Sequence, residues 1–402
     1  MKKDSLVSIR KHSYYSFIRM ITLKKKVLIY SIAYYPLVGG AEVAVKEITD
    51  RIPEIEWHMV TRRFDPAHPA YEIIGNVHVH RVSTPKILFP FIGFLKGRTL
   101  HKKHSFDIVW AVMTYAGFAA LFLKLNFKKI KFFLNLQEGT PFADIKRKAF
   151  IAYPLFVLMF KKADKIQALS QFLARMAYDI GATKEVSVIP NGVDLSLFST
   201  EPPKEQVLLL LNKLGKKEGD VYVVTTSRLT KKNGVDDVIR ALEFLPKNVK
   251  LLIAGVGEDE HMLRALAESC GVRDRVWFLG LVQQKDLPAL LRISDIFVRA
   301  SRSEGFGISF IEAMAAGLPV IATPVGGIPD FIDDRETGLF ACADNPKSVA
   351  EAITELVDHE DLRDCIAEGG QKRVIERYSW DTIVPAMKRK VFEPLLSDRI
   401  DL

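Results

Sequence analysis

One thirty-residue stretch, Ser301 to Asp330 (SRSEGFGISFIEAMAAGLPVIATPVGGIPD), constrains the fold more than any other part of the chain. It opens with a polar loop, Ser301 to Glu304, followed by a glycine-flanked aromatic, Gly305-Phe306-Gly307. The spacing predicts an alanine-rich helix from about Ile308 to Ala316, stopped by Gly317 and Pro319. Pro319 to Ala322 then reads as a short buried strand, and Gly326-Gly327 as a turn into another helix start at Ile328-Pro329-Asp330. Such a loop-to-helix junction suits an anion. The first amides of a helix lack internal partners, the dipole favours negative charge there, and glycines let the backbone approach a ligand closely. Glu304 and Glu312 frame the junction with seven residues between them. On one unbroken helix they would stand about 80° apart, at roughly 100° per residue. The Gly-Phe-Gly break instead puts Glu304 before the helix and Glu312 about one turn into it, both aimed at one pocket. Carboxylates accept hydrogen bonds from hydroxyls and repel phosphate, so the pair suits a polyol beside a diphosphate. Taken singly, either glutamate reads as a solvated charge.

At 402 residues the chain has room for two domains of about 200 residues each. Its three cysteines, Cys270, Cys342 and Cys365, are odd in number and lack metal-like spacing, which argues against a disulfide framework or a zinc site and for a reducing, cytoplasmic setting. Charge is divided unevenly. Residues 1–190 carry 30 Lys/Arg against 14 Asp/Glu, and the remainder 27 against 34. A basic first half points to nucleic acid, an anionic membrane face or a phosphorylated substrate. The longest apolar run, Ile108 to Leu123, is short for a bilayer span and reads as a strand, a glycine-containing turn and a buried helix. No secretory signal is apparent, because Arg19 and Lys24 to Lys26 interrupt the N-terminal apolar residues.

Along the chain, residues 1–22 form an extension. Lys26 to Ala33 is an apolar strand, and Gly39-Gly40 opens an amphipathic helix after it. A glycine pair there lies at the carboxyl edge of the sheet, where open α/β folds bind ligands. Further strands are expected at His58 to Thr61, Val77 to Val82, Asp107 to Val112 and Lys131 to Leu136, with helices between them, as in a doubly wound parallel sheet. Two segments, Lys86 to Lys103 and Lys146 to Lys165, mix basic and bulky apolar residues; the second, with about ten apolar residues between basic clusters, suits either a helix at an interface or a core helix with solvated ends. Gln137-Glu138-Gly139-Thr140-Pro141 follows a strand at the expected cleft. A second sheet begins at Val221 to Ser227 and continues through Lys250 to Ala254, Val276 to Leu279 and Asp295 to Ala300. Arg228, Lys231 and Lys232 follow its first strand, Gly255 its second, and Gly280 to Gln283, including Val282, its third. Helical periodicity dominates after Ser348 and ends in a helix from Trp380 through Leu396.

Glu304-x7-Glu312, with GFG between the glutamates and AxxxGxPVIAT…GG after them, resembles the retaining glycosyltransferases of family 4 (group 1). The segment Val186 to Asp194 (VSVIPNGVD) resembles their passage from first to second domain. The resemblance covers nearly all of residues 24–395 and implies the GT-B fold, two Rossmann-like doubly wound domains facing a cleft. Residues 23–195 would then bind the acceptor and 196–378 the nucleotide sugar, with 379–402 crossing back as a helix. It implies transfer of a sugar from a UDP- or GDP-sugar to a glycan or lipid-linked acceptor with retained configuration. By resemblance, Arg228 and Lys232 neutralise the departing diphosphate, with Lys231 the alternative to Lys232. The backbone around Phe306, Gly307, Ile308 and Ser309, with Gly39 and Gly40, holds phosphate and sugar. Glu304 orients sugar hydroxyls and Glu312 grips the ribose. Asn191, Gly255 and Val282 line the substrate pocket, and Glu138 acts on the acceptor as base or positioning group. The chain departs from the family in carrying Gln137 near the usual histidine and Asn233 in a usual lysine's place. No D-x-D tripeptide occurs, so neither a metal nor another cofactor is expected.

Three other readings compete. They are a nucleotide-sugar epimerase of the same architecture, an NAD-binding oxidoreductase and a nucleic-acid-binding module. The loop after the first strand is VGGAE rather than GxGxxG, and no nucleic-acid recognition motif is present, so nucleic acid is not an expected partner. An anionic membrane facing the basic first half is.

Overall fold

The computed structural model describes residues 24–37, 39–139, 146–147 and 152–397. The extension 1–22, Thr140-Pro141 and part of the Lys146 to Lys165 segment lie outside the described residues.

Fourteen strands among the described residues make two sheets. The first contains β1 (Lys25–Tyr30), β2 (Ile55–Arg62), β3 (Tyr71–Ile74), β4 (Val77–Val82), β5 (Ile108–Val112), β6 (Lys131–Leu136), β7 (Lys165–Ala168) and β8 (Val186–Val188), in the order β3-β4-β2-β1-β5-β6-β7-β8. All neighbours are parallel except the β3–β4 edge pair. Residues 27–30 and 108–112 are buried on both faces, which is why these strands read as continuous apolar runs rather than alternating ones. The second sheet contains β9 (Val221–Thr226), β10 (Val249–Ala254), β11 (Val276–Gly280), β12 (Ile296–Arg299), β13 (Val320–Ala322) and β14 (Leu339–Phe340), in the order β11-β10-β9-β12-β13-β14, all parallel. Two parallel α/β sheets of this kind are the GT-B architecture. The order of each sheet reverses beside its first strand, so both topological switch points bring their loops to the carboxyl edge.

The last described residues pack on the first sheet. The helix Trp380–Met387 is followed by a π-helical segment Lys388–Phe392 and a last turn Glu393–Ser397. Phe392 places its ring 5.3 Å from Trp57, 5.8 Å from Trp110 and 5.9 Å from Phe133, inside the core of that sheet. Burying a phenylalanine this completely contributes about 1.5–3 kcal/mol.

Several expectations need correction. In the run Ile108 to Leu123 the turn is at Met113 (φ 68°), not at Gly117, which lies inside the helix Thr114–Asn126. Gly117 is there for packing, because a side chain would strike the Met159 sulfur. Ile328-Pro329-Asp330 is a single 3-10 turn rather than the start of a longer helix. Strands β3, β7 and β14 escape sequence reading. β7 is four residues long and carries Gln167 facing inward, and β14 is only two residues. Among the described residues no helix is long and apolar enough to cross a membrane.

Candidate active site

The two carboxyl edges meet through loops. From the first sheet come Gly39-Gly40 ahead of the helix Gly40–Asp50, residues 137–139 after β6, and Ser170 ahead of the helix Gln171–Ile180. From the second come Arg228 to Gly234 after β9, Ser301 to Gly307 after β12, and Gly326-Gly327 after β13. They touch directly. Ser303 Oγ donates to the Gly139 carbonyl (2.8 Å), Ser170 Oγ to the Gly305 carbonyl (2.6 Å), and the Gln171 amide to Asp330 Oδ2 (2.6 Å). A methyl placed on Gly40 would sit 3.5 Å from Ile308, so the two glycine-rich loops face one another across the gap.

The centre of the site is a charged cluster. Glu304 is ion-paired with Arg299 through Oε2, and its Oε1 accepts from the Gly305 amide (2.9 Å). Arg299 is buried at the carboxyl end of β12 and also donates to Ser309 Oγ (2.9 Å) and Asn233 Oδ1 (2.8 Å). Lys232 lies beside Glu304. Burial pulls its pKa down, Glu304 pulls it back up, and Arg299 and Arg228 push it down again. A methyl on Gly139 would lie 3.0 Å from Lys232 Nζ and 3.5 Å from Glu304 Oε1. Lys231, one residue earlier in the 3-10 turn Lys231–Asn233, is exposed. Arg302 clamps that turn. Its amide donates to the Lys232 carbonyl (2.7 Å), and its guanidinium to the Lys231 carbonyl (2.7 Å), Asp236 (2.7 Å) and Asp237 (2.9 Å).

Phe306 contributes only backbone, since its ring is buried against Phe331 and Tyr378. Gly307, at φ 104°, starts the helix Ile308–Ala315, and the first amides of that helix have no partner within it. Ser309 offers its backbone, its hydroxyl being held by Arg299. Glu312 is partly buried on the same helix. Burial raises its carboxyl pKa to about 7, although a hydrogen bond from Gln284 works the other way. Gln284 follows Val282, which is partly buried in the loop after β11. Gly255, at φ 152°, keeps the backbone of the next loop against the Ser227 carbonyl, where any side chain would collide.

Two expected substrate-binding residues turn out to be engaged elsewhere. Both Glu138 oxygens accept from backbone, one from the Thr114 amide and one from the Gln137 amide (3.1 Å). This carboxylate caps the helix Thr114–Asn126 and is not presented to an acceptor. Asn191 Nδ2 donates to Gln137 Oε1 (3.1 Å), and Gln137 Nε2 to Asn135 Oδ1 (2.6 Å). Asn135 in turn donates to Gln167, and Gln167 to the Ile189 carbonyl. Gln137 and Asn191 thus belong to an amide ladder along the strand ends. Sequence reading missed Arg299, Arg302 and Glu42. Glu42, on the Gly40–Asp50 helix, has its pKa raised by burial and lowered by Arg228 across the gap, which places these two charges near one another.

A family model described as Glycosyltransferase Family 4 matches residues 38–197, and one described as Glycosyl transferases group 1 matches 209–373. An uncharacterized glycosyltransferase of Methanocaldococcus jannaschii is 26% identical over 93% of this chain and 100% of its own length. A GDP-mannose-dependent alpha-(1-6)-phosphatidylinositol monomannoside mannosyltransferase of Mycobacterium tuberculosis is 34% identical over 52% of this chain and 56% of its own, so the match spans about half of that relative. Among solved structures, Anabaena HepE in complex with UDP and glucose superposes with a TM-score of 0.78 at 21% identity, covering 92% of this chain and 99% of that one. These matches favour glycosyl transfer over the epimerase and NAD-oxidoreductase readings. With residues 38–197 and 209–373 matched in turn by these two models, the chain belongs to the group 1, family 4 glycosyltransferases of the GT-B fold.

Proposed function

We propose that this glycosyltransferase moves a hexose from a UDP- or GDP-sugar to a glycan or lipid-linked acceptor, with retention of configuration, in the synthesis of envelope polysaccharide or glycolipid. The observation that carries the reading is the Lys232–Glu304–Arg299 cluster set beside the Ile308 helix start and opposite Gly39-Gly40. Departure of a nucleoside diphosphate builds negative charge on the β-phosphate, and fixed cations and free amides aimed there stabilise it. In this reading Arg228 and Lys232 supply the charge, and the amides of Gly307 to Ser309 with the Gly39-Gly40 backbone hold phosphate and sugar. Glu304, fixed by Arg299, accepts from sugar hydroxyls, and the acceptor attacks from the face the diphosphate leaves. Side-chain cations do the work for which other transferases use a metal, so the chemical step is expected to survive EDTA. Support for a nucleotide-sugar donor comes from HepE, solved with UDP and glucose, and from the mycobacterial relative, named for GDP-mannose. Thermal shift with UDP, GDP, ADP and NAD tests the donor half. Stabilisation by one of the first two, with slow release of free sugar from the matching donor, is the expected result. Stabilisation by NAD alone would overturn the reading.

Glu312 gives the proposal a pH signature. Its raised pKa means the free protein keeps this carboxyl protonated up to about pH 7. Ribose hydroxyls donate to the ionised form, so binding expels a proton. Affinity for the nucleotide sugar, a diester without a titrating phosphate of its own, should therefore strengthen as pH rises from 6 toward 7 and level off above it. Glu312→Gln should flatten the profile, and an unchanged slope in calorimetric titrations would remove Glu312 from the ribose site. In the free protein the sign is reversed. The proton kept on folding stabilises the native state most below pH 4.5, and that contribution is lost as pH rises to about 7.

A membrane-borne acceptor has its own support. On the helix Phe89–His104, Phe89, Pro90, Gly93, Gly97 and Leu100 are buried, while Phe91, Ile92 and Leu95 are exposed along the opposite stripe, with Leu88 and the 76% exposed Ile87 just before it. Lys86, Lys96, Arg98, Lys102 and Lys103 surround that stripe. The patch reaches the carboxyl edge of the first sheet, where Tyr115 Oη donates to the Lys86 carbonyl (2.8 Å). An apolar stripe with a basic border suits the surface of an anionic bilayer. Sedimentation with anionic vesicles should pull the protein down, neutral vesicles much less, and Phe91→Glu with Leu95→Glu should abolish the difference. Equal sedimentation of wild type and variant would leave a soluble acceptor.

A further inference from the structure

Four of the nine histidines, drawn from three separate elements, meet at the amino-terminal end of the first sheet, opposite the cleft. His58 on β2 stacks on His78 (ring centroids 4.7 Å apart, 14° between planes) and on His80 (5.5 Å, 8°), both from β4. His104, the last residue of the helix Phe89–His104, brings its ring to 4.5 Å from His58. Glu56, two residues before His58 on the same face of β2, completes the group.

The geometry points to a binding site for one transition-metal ion of the zinc class, held by Glu56, His58 and His104. Glu56 Oε1 lies 2.9 Å from His58 Nε2 and 3.7 Å from His104 Nδ1, and one atom from each of the three residues falls within 4.8 Å of the others. Ligands at about 2.0–2.2 Å in a tetrahedral shell are about 3.3 Å apart, so the ion enters with sub-ångström side-chain adjustments. The outer partners are also in place. His58 Nδ1 is 3.2 Å from His80 Nε2, so a metal on Nε2 leaves the Nδ1 proton to be donated to His80. His78, stacked on His58, is held by Tyr71 Oη at its Nδ1 (2.8 Å). The side chain of His58 is 4% exposed, those of His104 and Glu56 21% and 26%, which gives a rigid inner ligand with an open side for entry and a water as fourth ligand. Two positive groups compete: Lys103 beside His104, and Lys26, whose Nζ is 3.3 Å from Glu56 Oε2, the oxygen facing away from the histidines. The ion would tie the end of the Phe89–His104 helix to β2, far from the sugar chemistry.

Chelator-stripped full-length protein, titrated with Zn²⁺ against a chromophoric competitor, should bind one equivalent and gain thermal stability. Co²⁺ in its place should show the intense visible bands of a tetrahedral site. His104→Ala, at a partly exposed helix end, should weaken the ion by at least the roughly 10–100-fold that losing an outer-shell partner costs. Its nucleotide binding should be unchanged, which shows that it is folded. Lys26→Gln, which removes one of these cations, should tighten binding. Absence of saturable zinc binding, or equal affinity in wild type and His104→Ala, would overturn the proposal, as would weaker binding in Lys26→Gln.

Discussion

Lys232→Ala lowers kcat by about 10²–10³-fold, while Lys231→Ala stays within about twofold of wild type. The expectation follows from where the two ammonium groups lie. Lys231 is exposed and contributes its carbonyl to Arg302, a contact alanine retains. Lys232 is drawn inward beside Glu304 and Arg299, where burial already works against its charge. A cation held under that penalty is poorly hydrated, so a charge developing on a departing diphosphate is stabilised more than by the same cation in water. The donor's ground state already carries charge on both phosphates, so part of the loss appears as weaker donor binding and the larger part in turnover. Steady-state kinetics with the donor identified by thermal shift separate the two. If side chains supply the charge, as proposed, EDTA in the same assays should leave kcat in place. Equal loss in Lys231→Ala and Lys232→Ala would mean that general basicity rather than a positioned charge is at work.

The two lysines also show where sequence reading stops. Neighbours in a 3-10 turn stand about 120° apart, so one must face out when the other faces in, and only the placement of the turn decides which. That placement comes from Arg302 reaching Asp236 and Asp237 in the next helix, a contact between residues more than sixty positions apart. The two-sheet plan was legible because buried parallel strands and their crossover helices impose local patterns, as at 27–30, 108–112 and 221–226. The glycine junctions at Gly39-Gly40 and Gly305 to Gly307 were legible because close approach leaves a mark in residue type. Glu138 and Asn191 were not, because a carboxylate satisfied by backbone, or an amide satisfied by another side chain, has the same letter as one turned to a ligand. Arg299 did leave a signal. An arginine ending an otherwise apolar buried strand, IFVR, requires a buried partner at the carboxyl edge. Its partner, Glu304, stands five residues on.

That pair carries the largest expected effect on stability. Arg299→Met should destabilise the protein by about 3–5 kcal/mol, the usual consequence of stripping a buried charge of its counterpart. The side chains of Arg299 and Glu304 are only 9% and 13% exposed, so water cannot replace the guanidinium. The same change leaves Asn233 Oδ1 and Ser309 Oγ without their donor. Glu304→Gln should also cost stability, because the buried Arg299 guanidinium loses its counter-charge, although the amide oxygen still accepts from the Gly305 amide. The double variant, Arg299→Met with Glu304→Gln, should be more stable than Arg299→Met alone, since the unpaired carboxylate is gone. Chemical denaturation monitored in the second domain reads the cycle. A double variant no more stable than Arg299→Met would show that the ion pair is not what makes Arg299 necessary. Turnover separates the pair differently. Glu304→Ala should depress kcat far more than Gln283→Ala, and the double variant, though better folded than Arg299→Met, should recover no activity. A charge pair kept only for the fold would give the opposite result, with activity returning alongside stability.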